Sequence, residues 1–164
     1  MTFYSKTILH PSRYYLWAVL LLLSFSYAQA TFVQVSQISS PVGYVSLSEA
    51  VAPGTAYQTI QPNLTSSGYT FGYWSISGNR LTDSDNRSIT QAKVTINAAT
   101  TITAHYFPST ADTDTDGLLD WFEFRNFGNL DQNASSDSDA DGFTNGQENG
   151  LGQEPTVKDS VQDG

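Results

Sequence analysis

Acidic side chains recur at a fixed spacing in the last third of this chain. One run extends from Asp112 to Glu123 and a second from Asp137 to Glu148, and both match D-x-[DN]-x-[DN]-G-x5-E without a gap. The second run begins 25 residues after the first. Two full matches lie far beyond accident even in an acid-rich segment, so the spacing predicts two cation-binding loops.

The physical reason for this spacing is the coordination chemistry of Ca²⁺. This hard cation takes six to eight oxygen ligands at about 2.3–2.6 Å. Carboxylates at positions 1, 3 and 5 of a tight loop can point at one centre, and glycine at position 6 permits the chain to reverse. Position 7 supplies its carbonyl, position 9 binds directly or through water, and Glu at position 12 closes the shell. The predicted ligands are Asp112, Asp114, Asp116, Leu118, Asp120, Glu123, Asp137, Asp139, Asp141, Phe143, Asn145 and Glu148.

Other cations fit this ligand set less well. Mg²⁺ keeps several waters and demands a strict octahedron, so a protein cage with a bidentate Glu favours Ca²⁺. Zinc is disfavoured because Cys and His ligands are missing from both loops. We therefore expect two Ca²⁺ ions, bound with a gain of order because the carboxylates repel one another without them. The alternative is a disordered acidic tail, which the regular spacing and the apolar residues after each loop oppose.

The overall composition restricts the function further. The 164 residues carry 16 acidic and 7 basic side chains, and thirteen of the acids lie within 112–164. This charge argues against nucleic acid or an anionic membrane surface as a partner. The chain has no cysteine, and no G-x-S-x-G, H-E-x-x-H or P-loop motif occurs. We expect a protein without enzymatic activity.

The first 30 residues have the pattern of a secretory signal. Lys6 and Arg13 precede an apolar run at 14–23, and Ala28 and Ala30 are the small residues of a signal-peptidase site. The run is shorter than the roughly 20 residues that a membrane span needs. We expect cleavage after Ala30 and a secreted or cell-surface protein with no membrane span after cleavage.

Residues 31–111 are predicted to form a small β module. Strand-favouring patterns occur at 42–47, 69–76, 93–97 and 101–107. In the last of these, Ile102, Ala104 and Tyr106 alternate inward. A sugar-binding platform is one interpretation of Tyr69, Tyr73 and Trp74, but their strand period favours core and cross-strand packing. The lone histidine of this part, His105, is expected on a solvent-facing strand.

Two motifs give this module a family resemblance. The run from Gly68 to Trp74 has the spacing G-Y-x-F-x-x-W, and the run from Val94 to Phe107 resembles the ending V-T-I-x5-I-T-A-x-F. Over about residues 38–107 the chain resembles the divergent B-repeat module of bacterial internalin-like surface proteins. The resemblance implies a small β-grasp-like sheet that acts as a spacer or adhesive unit. The stretch Gly78–Gln91 departs from the family's compact pattern.

The acidic segment resembles a second family more closely. Its first loop reads D-x-D-x-D-G-L-x-D-W-x-E, its second reads D-x-D-x-D-G-x-x-N-x-x-E, and the connector 127–130 and the exit 152–156 also fit. This pattern is similar to the thrombospondin type 3-like calcium repeats of bacterial secreted proteins. The resemblance implies Ca²⁺ binding in a stalk or linker between extracellular modules, with ligands at the positions named above.

The expected organisation has three parts: a signal peptide (1–30), a small β module (31–111) and two tandem calcium-binding loops with a partial third repeat and short helices (112–164). The main hypothesis is an exported calcium-binding protein whose loops rigidify an extracellular stalk or linker. A dockerin-like recognition module and an accessory fragment of a larger secreted enzyme are the alternatives. Besides calcium, another extracellular protein or a surface polymer is a candidate partner.

Overall fold

The computed structural model of the protein describes residues 31–158. The expected signal peptide (1–30) and the partial third repeat (159–164) lie outside the described residues. The described residues belong to one compact unit. Within 31–158, no helix is long and apolar enough to cross a membrane.

The described part of the chain is mainly β, as the sequence predicts for its first module. Eight strands precede two short helices, α1 (Asp120–Asn126) and α2 (Asn145–Leu151). The strands are β1 (Val33–Ser40), β2 (Ser46–Val51), β3 (Thr55–Gln58), β4 (Thr65–Ser66), β5 (Tyr69–Ile76), β6 (Asn79–Arg80), β7 (Lys93–Ile96) and β8 (Thr100–Pro108).

Most strands belong to one mixed sheet in the order β2-β1-β8-β5-β4, and β6 pairs with β5. The first long strand, β1, is antiparallel to β2 but parallel to β8. Strand β8 is antiparallel to β5 on its other side. The first and last long strands thus lie side by side at the centre, and β3 and β7 form a separate two-stranded sheet.

One face of the large sheet carries the hydrophobic core. The predicted inward alternation of Ile102, Ala104 and Tyr106 in β8 is confirmed, since all three are buried. Trp74 and Phe71 of β5 pack together there, with ring centroids 5.8 Å apart. Burial of such large side chains contributes about 1.5–3 kcal/mol each.

The predicted strand at 42–47 begins too early, because only its last two residues belong to a strand. Residues around Gly43 form a turn in which that glycine has a φ of 113°, and β2 begins only at Ser46. The preceding strand, β1, was missed because polar side chains occupy two of its buried positions. Gln37 donates to the Tyr57 hydroxyl at 2.7 Å, and the Ser39 hydroxyl accepts from the backbone after the turn. Hydrogen bonds therefore make burial possible where the sequence looks polar.

A β-bulge in β5 decides which aromatic side chains face the core. The pairing of β5 with β8 shifts register between Phe71 and Tyr73. As a result Phe71 and Trp74 are both buried in the core cluster, whereas Tyr73 stacks on His105, with centroids 4.3 Å apart. A side chain at Gly72 would place its Cβ 2.6 Å from the Phe107 ring, so the close approach of that ring favours glycine at the bulge.

Helix α1 packs against the sheet at β5 and β8. The Phe124 ring stacks on Phe107 with centroids 4.7 Å apart, and it also contacts Tyr73. The Arg125 guanidinium donates to the carbonyl of Phe71. This contact places the acidic segment directly beside the β module.

Candidate metal centre

The structure brings the predicted aspartate ligands together in two groups. In the first loop, Asp112, Asp114 and Asp116 each offer a carboxylate oxygen, and these oxygens all lie within 4.8 Å of one another. Asp137, Asp139 and Asp141 do the same in the second loop. Within the described residues, both triplets therefore have the spacing needed to hold a metal ion.

The two loops have the same internal hydrogen bonds. In each loop, both oxygens of the aspartate at position 1 accept bonds from the backbone N–H groups at positions 5 and 6. The distances are 3.2 and 3.2 Å for Asp112, and 3.3 and 3.1 Å for Asp137. The repeated sequence pattern thus produces a repeated loop geometry.

The backbone turns of the two loops also agree. Position 4 lies in the left-handed region at a φ of 61° in both loops, at Thr115 and at Ala140. Position 6 is left-handed as well, at 94° for Gly117 and 104° for Gly142. Glycine adopts this conformation without the steric cost that a Cβ brings. The glycine at position 6 therefore has the chain-reversing role that the pattern predicts.

The glutamates at position 12 are fully buried. Neither Glu123 nor Glu148 exposes any surface, although each is the last predicted ligand of its loop. Neither carboxylate oxygen of Glu123 has a hydrogen-bond partner of normal geometry. Buried carboxylates are costly unless a cation or hydrogen bonds compensate their charge, so Glu123 is suited to accept a metal ion.

The raised pKa values of acidic residues in the two loops also favour a bound cation. Burial, and then the charges of Asp116, Asp114 and Asp120, raise the pKa of Glu123 to about 7, and the nearby backbone N–H of Gln132 only partly offsets this. The triplets each contain a further uncompensated oxygen, because Oδ2 of Asp116 and Oδ2 of Asp139 are buried without a hydrogen bond. Burial and neighbouring carboxylates raise the pKa of Asp139 as well. A divalent cation would relieve both the burial and the repulsion.

Position 9 has a structural role in both loops. Asp120 accepts two bonds from Thr113, from its backbone N–H at 2.8 Å and from its hydroxyl at 2.7 Å. Asn145 accepts from the Ser138 backbone N–H at 3.2 Å and donates to the Asn133 carbonyl at 3.1 Å. These side chains hold the loop closed between positions 2 and 9. Their engagement favours the water-mediated form of the predicted ligation.

Position 7 lies at the end of each aspartate run. The backbone N–H of Leu118 donates to Asp116 at 2.8 Å, and that of Phe143 donates to Asp141 at 2.8 Å. The Leu118 side chain is completely buried, whereas that of Phe143 is half-buried. These contacts fix the backbone that carries the predicted carbonyl ligands.

Short helices leave both loops and carry the position-12 glutamates. The predicted helix after the first loop is confirmed as α1, and Gly128, with a φ of 84°, follows its end. The second, α2, begins with a capping box between Thr144 and Gln147. This cap compensates for the weak helix propensity of Gly146. Gly146 is also needed for packing, because a Cβ there would lie 2.9 Å from Ala134, which precedes the second loop.

A group of cationic contacts to the acidic segment was missed by the sequence analysis. Arg80 of β6 donates to the carbonyls of Phe124 and Arg125 in α1, at 2.8 and 3.0 Å. The backbone N–H of Ser88 also donates to the Arg125 carbonyl, at 2.9 Å. The two Arg80 bonds join residues 44 and 45 positions apart and the Ser88 bond joins residues 37 apart, so no local pattern could reveal them.

The second repeat is tied to the same stretch of chain. Arg87 forms ion pairs with Asp83 and Asp85 nearby and with Glu154, which follows α2. The stretch Gly78–Gln91, which departs from the family pattern, therefore contacts both repeats through Arg80 and Arg87. We call this stretch the 78–91 loop.

The other residues considered for chemistry lie inside the sheet packing. Trp74 is completely buried and its indole N–H donates to the Thr90 carbonyl at 2.9 Å, so it has no free face for a sugar. His105 is half-buried instead of solvent-facing. Its Nε2 lies 2.8 Å from the Ser75 hydroxyl of the neighbouring strand, and burial lowers its pKa. Ser75 is itself buried, which fits a cross-strand packing contact.

Comparison of the chain with protein-family models, with curated proteins and with solved structures finds no match.

Proposed function

We propose that this is an exported, non-enzymatic calcium-binding protein in which each of the two loops binds one Ca²⁺. The observation that carries the proposal is Glu123, a fully buried carboxylate without a hydrogen bond of normal geometry, beside three converging aspartates. The matching geometry of the second loop supports a second site. Oxygen-only ligands in flexible loops favour Ca²⁺ over Mg²⁺ and over zinc.

The proposed role of the metal is mechanical. Without a cation, each loop concentrates carboxylates that repel one another. With Ca²⁺, the loops and their helices become stiff, and they extend the β module as part of an extracellular stalk or linker. The packing of α1 on β5 and β8 supports a stiff junction. The same packing covers part of α1, which makes the dockerin-like alternative less suitable, because that role needs free helix faces.

A β-grasp-like spacer or adhesive module remains our proposal for the sheet. The parallel pairing of β1 with β8 at the centre of a mixed sheet supports it. Secretion is proposed from the signal-like sequence of residues 1–30.

Calorimetric titration of the chelator-treated protein with CaCl₂ tests the proposal. We expect two equivalents, with Kd values of about 10⁻⁴–10⁻³ M as in extracellular modules, and a gain of order in far-UV circular dichroism. Absence of binding at millimolar calcium would refute the proposal.

Variants connect the binding to the proposed ligands. Glu123→Gln and Asp116→Ala are each expected to remove one equivalent and to leave the other. Asp131→Asn is the matched control, because Asp131 is an exposed acid between the loops and is not a predicted ligand. Two equivalents in Glu123→Gln would exclude the first site as assigned.

A further inference from the structure

Helix α1 is too short to hold its own position. It has seven residues, and isolated helices below roughly 12 residues are marginal in water. It nevertheless carries Glu123, the residue that would close the first cation site. Something outside the loop must therefore keep this helix in place.

The C-terminal end of α1 is held by the β module. The Nη1 atom of Arg80 donates to the carbonyls of Phe124 and Arg125, which directly follow Glu123. These two carbonyls belong to the last turn, so neither receives a hydrogen bond from an N–H group of the helix itself. The negative end of the helix dipole also lies there. A guanidinium is well suited to both features because it offers several donors and a fixed charge.

Arg80 is itself held in place on two sides. Its Nη2 atom donates to the Asn86 carbonyl at 2.5 Å, and Nη1 also donates to the Ser88 hydroxyl at 3.1 Å. Gly128 leaves room for it, since a Cβ at that position would lie 2.8 Å from the guanidinium. The 78–91 loop and the end of α1 thus form one fitted contact.

From this geometry we infer that Arg80 is a positioning residue for the first cation site. It touches none of the predicted ligands, but it fixes the helix that presents the Glu123 carboxylate to the aspartate triplet. The inference rests on the proposed calcium function. It goes beyond that function by making the affinity of the first loop depend on a side chain of the β module.

Electrostatics alone predicts the opposite effect of removing Arg80. A positive charge near a cation site repels the cation, so its loss should strengthen binding. Loss of a positioning contact should weaken binding, and loss of outer-shell support for metal ligands typically costs 10–100-fold in affinity. The sign of the change therefore separates the two effects.

Terbium(III), a luminescent substitute for Ca²⁺, reports on the first loop alone in a Glu148→Gln background, where the second site is removed. Trp121 lies within the first loop, whereas the second loop contains no tryptophan. We expect tryptophan-sensitised terbium emission to show about 10–100-fold weaker binding in Arg80→Met. Calcium calorimetry should show unchanged affinity at the second loop. Arg80→Lys, which keeps the charge and one donor group, should give an intermediate affinity.

Arg87→Met is the matched control because Arg87 lies in the same 78–91 loop but does not contact α1. It should leave the first site unchanged or tighter. Unchanged or tighter terbium binding in a folded Arg80→Met protein overturns the inference and leaves the proposed function intact. Absence of calcium and terbium binding in the unaltered protein overturns both.

If circular dichroism shows that Arg80→Met does not fold, Gly128→Ala replaces it. This change displaces the guanidinium without removing its charge, but it also strains the backbone after α1, because Gly128 has a φ of 84°. Weaker terbium binding therefore supports the inference when Arg80→Lys, which leaves that backbone unchanged, is weakened as well, and weaker binding in Gly128→Ala alone overturns it. Affinity equal to that of the unaltered protein in both Gly128→Ala and Arg80→Lys overturns it.

Discussion

The ring of Phe124, on the helix that leaves the first metal loop, stacks on the ring of Phe107 in β8, with an interplanar angle of 10° and centroids 4.7 Å apart. Phe124 directly follows Glu123, the last predicted ligand of that loop. Of these two neighbouring residues in one short helix, Glu123 thus belongs to the loop and Phe124 packs on the sheet. Helix α1 is therefore a shared element of the two parts of the protein.

Removal of this stacked ring should destabilise the whole compact unit. We expect Phe124→Ala to lower the free energy of unfolding by about 2 kcal/mol, because the side chain loses apolar burial against Phe107 and Tyr73. Urea denaturation followed by tryptophan fluorescence measures this change. Leu151→Ala, at an exposed position, should change stability little. A Phe124→Ala protein as stable as the original would show that the helix is not part of the cooperative unit.

Substitution of the glycine at the bulge should destabilise the protein, whereas substitution of Gly150 in α2 should not. Gly72→Ala would drive a Cβ into the Phe107 ring, and we expect a loss of about 1–3 kcal/mol from overpacking. Gly150→Ala meets no atom within 4 Å and lies in a helix, so a gain of up to about 1 kcal/mol is expected. Thermal unfolding of both variants measures whether the two changes in stability have opposite signs. Equal effects would contradict the bulge argument.

Substitutions at position 9 test whether Asp120 binds the metal directly or only holds the loop closed. Asp120→Asn should keep affinity at the first loop within a few-fold, because an amide can still accept from the Thr113 N–H and donate to its hydroxyl. The second loop already uses Asn145 in the same way. Asp120→Ala removes both bonds and should weaken binding about tenfold or more. Terbium titration of Asp120→Asn and Asp120→Ala distinguishes the two roles. Equal, complete loss in both variants would indicate that the Asp120 charge ligates the metal directly.

His105 predicts a pH dependence of stability. Burial holds its pKa below the ordinary value of 6.5, so the folded state favours the neutral ring. Its contribution to stability is therefore fully present above about pH 6.5 and is lost as the pH falls through the lower, folded-state value.

The comparison with His105→Gln isolates this contribution, because other titrating groups are common to both proteins. Urea denaturation at pH 8 and pH 5.5 should show a larger loss on acidification in the unaltered protein than in the variant. The same loss in both proteins would assign the pH dependence to other groups.

The convergence of the aspartates in the two acidic loops could be predicted from the sequence because all its determinants are local. Twelve consecutive residues contain the aspartates, the glycine that reverses the chain and the closing glutamate. The gathering of Asp112, Asp114 and Asp116 follows from that spacing. The inward alternation of Ile102, Ala104 and Tyr106 is likewise local, because period-2 burial is a property of a single strand.

Other features were decided only by the tertiary structure. Strand β1 was missed because its buried Gln37 and Ser39 find partners elsewhere in the fold. The bulge at Gly72 depends on the approach of Phe107 from β8. The bonds from Arg80 to α1 join residues more than 40 positions apart. Sequence alone thus determined which carboxylates come together in the two loops, through short-range spacing, whereas long-range packing decided how the first loop is attached to the sheet.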